Sequence, residues 1–114
     1  MIQSKDNSKH YIWGDHCDSW VLRDSQNLSV KQEKMPSGTS EKFHFHEYAE
    51  QFFYILKGEG TFYLDDKKIT VKAGESLSIL PGFKHYISNE TLNDLEFLVI
   101  SSPSTNKDRI EILK

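Results

Sequence analysis

From residue 51 to residue 82 the chain is interrupted by turn-forming residues after every four to seven positions, and this spacing limits the fold more than any other feature. Residues 51–57 stop at Gly58-Glu59-Gly60, 61–64 at Asp65-Asp66, 68–72 at Ala73-Gly74, and 76–80 at Pro81-Gly82. Gly, Pro and Asp at such points supply the backbone conformations that tight turns need. The runs between them suit strands and are too short for ordinary helices of about 11–12 residues. The pattern extends in both directions. Residues 11–13 and 20–22 are short apolar segments bounded by Gly14-Asp15 and Asp24-Ser25, and 28–35 ends at Pro36-Ser37-Gly38. Residues 85–88 and 95–100 complete the series. Short strands at even spacing predict an all-β sandwich or barrel rather than βαβ units, with no long helix.

The run 51–57 is apolar on both of its alternating rows beyond the first residue. Phe53 and Ile55 fall on one row, and Phe52, Tyr54 and Leu56 on the other. With Gln51, Phe53 and Ile55 facing inward, the second row needs cover from the N-terminal strands or from a second subunit. A homodimer is the expectation. At 114 residues the chain has room for one core and not two, and seven Phe, five Tyr and two Trp supply bulky material for it. A formal charge of -3 offers no basic stripe for phosphates, so the expected partner is a small molecule and not nucleic acid. No apolar run of membrane-spanning length occurs, and the start MIQSKDNSKH has no apolar signal core, which leaves a cytoplasmic location as the expectation. Cys17 is the lone cysteine and reads as a small packed residue.

The chemistry centres on His44-Phe45-His46. On a strand, imidazoles two residues apart share a face and come within reach of one ion. Alone the pair is weak evidence, since a polar surface row has the same spacing. Its surroundings add more: five residues separate it from Gly38, four from Gln51, and six more separate Gln51 from Gly58. A third histidine, His85, follows Pro81-Gly82.

At these positions the sequence resembles the cupin superfamily. Gly38, His44, His46, Gln51 and Gly58 occupy the places of the first family motif, and Gly74, Pro81, Gly82, His85 and Asn89 those of the second, with Leu80 where a first proline is usual. The resemblance covers residues 38–89 and implies a double-stranded β-helix, the cupin jelly-roll barrel. It is read as one domain over 1–114, with N-terminal strands at 10–35, motif one at 38–58, motif two at 74–89, and a C-terminal strand and tail at 95–114. The resemblance further implies one divalent transition metal (zinc, nickel, iron(II) or manganese) held by His44, His46, Gln51 and His85. Most metal-binding cupins have Glu where Gln51 stands, and Glu50 lies beside it. Strand alternation lets only one of the two face the ion; the interval to Gly58 selects Gln51, with Glu50 the competing register. Some cupins, including ones that act on unsaturated uronate sugars, use glutamine in this role.

Three imidazoles and an amide are all neutral, so a bound ion keeps its double charge and acts as a stronger Lewis acid than one partnered by a carboxylate. This favours isomerisation, ring opening or elimination on a small sugar or sugar acid. Iron-dependent dioxygenation and non-enzymatic metal or small-ligand binding are the alternatives. Candidates for a catalytic group are Gln32 and Glu33, one of which must face inward, and Tyr48 and Tyr86, which flank the ligand positions. His10 and His16 are expected at the surface, and Asp108 and Arg109 as a structural pair.

Overall fold

Strands form where the turn residues leave room for them. The computed structural model describes residues 2–112; Met1, Leu113 and Lys114, included in the expected domain, lie outside the described residues. The strands are β1 (Lys9–Trp13), β2 (Cys17–Asp24), β3 (Ser29–Met35), β4 (His44–His46), β5 (Glu50–Lys57), β6 (Glu59–Leu64), β7 (Lys67–Lys72), β8 (Ser76–Ile79), β9 (His85–Ser88), β10 (Leu95–Ser102) and β11 (Arg109–Glu111). No helix occurs among the described residues. The protein is all-β, and the principal surprise is β11, which sequence reading leaves inside the C-terminal tail.

The winding explains how distant motifs meet. β6 and β7 form a hairpin at Asp65-Asp66, and the chain on either side of it pairs antiparallel at every step: β5 with β8, β4 with β9, and β3 with β10. This long hairpin coils so that successive strands alternate between two sheets. One has the order β1-β2-β3-β10-β5-β8 and the other β11-β4-β9-β6-β7. The result is a double-stranded β-helix. Its first two strands extend one sheet at the edge; they do not lie across the outer row of β5. Phe52, Tyr54 and Leu56 accordingly stay 37%, 36% and 42% exposed, which removes cover by the N-terminal strands as the resolution of the doubly apolar run.

Between the sheets the inward rows interlock. Phe53 meets Phe62 edge-on at a centroid distance of 5.0 Å and Phe97 at 5.8 Å, with Met35, Ile55, Ile87 and Leu95 fully buried around them. Each such side chain contributes about 1.5–3 kcal/mol through burial. Gly58 shows why a glycine follows β5: its φ is +83°, and an added Cβ would come 2.4 Å from the Asp94 carbonyl oxygen. This apolar end supports an opposite, polar end, where β4, β9 and the start of β5 converge.

Candidate metal centre

His44 and His46 lie on the inward face of β4, separated by the outward Phe45, and His85 on β9 is the direct register partner of His44. The coiled pairing thus brings residues 41 positions apart side by side. Ring centroids stand 4.4 Å apart for His44 and His85, 5.0 Å for His44 and His46, and 5.7 Å for His46 and His85. One potential ligand atom from each lies within 4.8 Å of the others, and all three residues are buried.

The hydrogen bonds assign the protons. The Nδ1 atoms of His44, His46 and His85 contact the backbone carbonyls of Lys42, Asp108 and Phe83 at 2.7, 2.9 and 2.9 Å. A carbonyl only accepts, so each Nδ1 carries the hydrogen and each Nε2 is left with its lone pair. Burial, reinforced by the Arg109 charge and by neighbouring imidazoles, lowers His44 to about 3 and His85 to about 4, and burial lowers His46 as well. All three rings are neutral at physiological pH.

Gln51 adds a fourth acceptor. Its amide nitrogen donates to Ser101 Oγ at 3.1 Å, which turns Oε1 inward to 3.1 Å from His85 Nε2. Glu50, the residue before it, is exposed on the opposite face. Two acceptors this close repel unless something positive lies near them, and His46 Nε2 is buried with no hydrogen-bond partner among the described residues. A convergence of neutral nitrogen and oxygen lone pairs suits a transition-metal cation, so the residues present fit one.

The flanking residues are those that sequence reading assigned differently. Asp108 and Arg109 do not act as a pair. The Asp108 carboxylate accepts from the backbone N–H groups of Glu47, Tyr48 and Ala49, fixing the loop after β4, while its carbonyl orients His46. Arg109, on β11, projects its guanidinium to 3.4 Å from His44 Nε2, 3.8 Å from Glu41 and 3.5 Å from Glu111. Glu41 is the second residue missed. Burial pushes its carboxyl up to about 7 against the pull of Arg109, and it accepts from the Ile87 N–H.

Glu33 is the inward member of its pair and lines the same cavity as His46 and Gln51. Gln32 faces the outer side, in register with Trp20 and Leu98. Tyr48 is 67% exposed, and Tyr86, one residue out of phase with His85, stacks on Tyr63 at 4.6 Å. Neither tyrosine lines the cavity. Alternation accounts for Tyr86, and the Asp108-fixed loop carries Tyr48 outward. His10 and His16 are exposed, as expected.

Residues 31–101 match the cupin domain family, more than half of the chain. The chain belongs to the cupins. Among cupin relatives, an oxalate-binding protein from Thermotoga maritima is 40% identical over 67 residues, which span 59% of this chain and 55% of that protein. The crystal structure of a predicted oxalate decarboxylase from Thermotoga maritima superimposes with a TM-score of 0.83 at 25% identity, covering 91% of this chain and 100% of the other. KdgF from Halomonas sp. gives a TM-score of 0.84 at 16% identity, covering 94% and 98%. At that identity the likeness to KdgF is one of cupin fold.

Proposed function

We propose that this cupin is a metal-dependent enzyme that isomerises, ring-opens or eliminates from a small sugar or sugar acid, with its ion held by His44, His46, His85 and Gln51. The supporting observation is the donor set itself: three neutral imidazoles and an amide oxygen converge beside a cavity of about 590 Å³. That volume is ordinary for a small-molecule site. When bound, a divalent ion supplies Lewis acidity toward a carbonyl or carboxylate oxygen. The chain does the rest. Backbone carbonyls hold the imidazoles in one tautomer, Ser101 holds the Gln51 amide, and Arg109 brings a fixed positive charge to the cavity wall. Glu41, with its carboxyl at about 7, is able to take or give a proton near neutral pH. An all-neutral donor set favours this non-oxidative chemistry over dioxygenation.

Non-enzymatic binding of a small dicarboxylate is the second reading, favoured by the 40% identity to an oxalate-binding protein. The two separate in one experiment. Zinc- or nickel-loaded protein is incubated with a panel of sugar acids and with oxalate, and consumption is followed by proton NMR while binding is followed by calorimetry. Conversion of a sugar acid supports the enzyme; oxalate binding with every compound left intact supports the binding module. Iron as the ion found in purified protein, with oxygen consumed in turnover, would instead support dioxygenation.

A further inference from the structure

The cavity extends well beyond the histidines, along β1 and β3. Its wall there includes Tyr11, Trp13, Lys31 and Glu33. A buried polar atom of this wall meets no hydrogen-bond partner among the described residues: the indole Nε1 of Trp13. Ser19 is 0% exposed and lies directly across the β2–β3 pair from Glu33 and across the β1–β2 pair from Tyr11. Burial pushes the Glu33 carboxyl up, and the Ser19 hydroxyl, which hydrogen-bonds toward it, tempers that rise. At the rim, the Lys31 ammonium donates to the Tyr11 hydroxyl at 3.1 Å.

A buried donor left unsatisfied costs about 1–3 kcal/mol, so such atoms are normally matched by a partner. Here the complement is specific. An indole N–H only donates and a carboxylate only accepts. A ligand hydroxyl meets both needs, accepting from Trp13 while donating to Glu33. We propose that Trp13 and Glu33 form a second subsite of the cavity, which takes a hydroxyl of a polyhydroxylated ligand whose other end faces the histidines. This deepens the sugar-acid reading above and rests on it for the orientation of the ligand. A plain dicarboxylate has no hydroxyl to place there.

The test uses zinc-loaded protein with 15N-labelled tryptophan, titrated with D-glucuronate, with hexanoate as a carboxylate lacking hydroxyls, and with xylitol as a polyol lacking a carboxylate. Trp20, on the outer face of β2, is the internal reference. The Trp13 indole resonance is expected to shift with glucuronate and with xylitol, but not with hexanoate, while Trp20 stays in place. Trp13→Phe and Glu33→Gln should each weaken glucuronate binding roughly tenfold and leave zinc affinity and hexanoate affinity unchanged. A shift with xylitol but no binding of glucuronate upholds the subsite and defeats the sugar-acid reading. An unmoved Trp13 resonance with both hydroxylated probes, or glucuronate bound equally by both variants, overturns the subsite.

Discussion

Gln51 and Glu50 are adjacent residues with opposite fates, and the contrast gives the first prediction. Gln51 Oε1 faces the imidazoles, whereas Glu50 is exposed on the other side of β5. Gln51→Ala should weaken zinc or nickel binding by about 10–100-fold, the range found when a supporting metal partner is lost. Glu50→Ala should leave it unchanged, and titration of both variants compares them directly. Glu41 gives a prediction in pH. Its folded value of about 7 lies above the ordinary 4.5, so the contribution of the protonated carboxyl is complete below about pH 4.5 and is lost as pH rises through 7. Glu41→Gln removes that dependence. The melting temperature of the variant should therefore gain on the wild type between pH 4.5 and 7 and run parallel above it. His44 and His85 act in the opposite sense: their folded values lie below 6.5, so their contribution is present above that pH and is lost as pH falls toward 4 and 3. Thermal melts at stepped pH check both signs. His44 and His46 were legible from strand period, and Gln51 and His85 through the resemblance to the cupin motifs, because these spacings are local. Glu41 and Arg109 were not, because what makes them site residues is contact with elements far along the chain.

The strands show the same division between local and long-range information. Those of the long hairpin were readable from their punctuation, Gly58 with its left-handed backbone being the sharpest mark. β11 was not, since the polar-apolar-polar alternation of Arg109–Glu111 is too short to mark a strand, and it is one because it pairs with β4. Glu33 falls between the two cases: alternation puts one of residues 32 and 33 inside, and only the pairing of β3 with β2 and β10 decides which. β11 in turn positions the metal centre through the residue before it. Asp108 receives three backbone N–H groups from the loop after β4. Asp108→Ala should orphan those donors, costing about 1–3 kcal/mol, and loosen His46, weakening metal binding although the side chain touches no imidazole. Denaturant melts and metal titration of the variant measure the two effects, and Asp108→Asn, which keeps acceptor capacity, should fall between.

At the scale of the whole molecule, the outer face of the six-stranded sheet carries a continuous apolar surface. Phe52 and Tyr54 stand in register with Ile100 and Leu98 on β10, and Leu56 follows on the same side. With the N-terminal strands at the edge of the sheet, a second copy of the chain is the proposed cover. Tyr54→Glu should shift the protein toward monomer in sedimentation, with the metal centre on the opposite face of β5 undisturbed; a wild-type monomer at high concentration would contradict the homodimer. The metal centre is the claim on which the functional reading depends, and metal content tests it most directly. The wild type and His85→Ala are dialysed to equilibrium against zinc and the bound metal is measured by elemental analysis, with circular dichroism to establish that both are folded. The account predicts one ion per chain in the wild type and a strong loss in folded His85→Ala. A wild type that binds no zinc, nickel, iron or manganese, or a variant that retains its full ion, would contradict it.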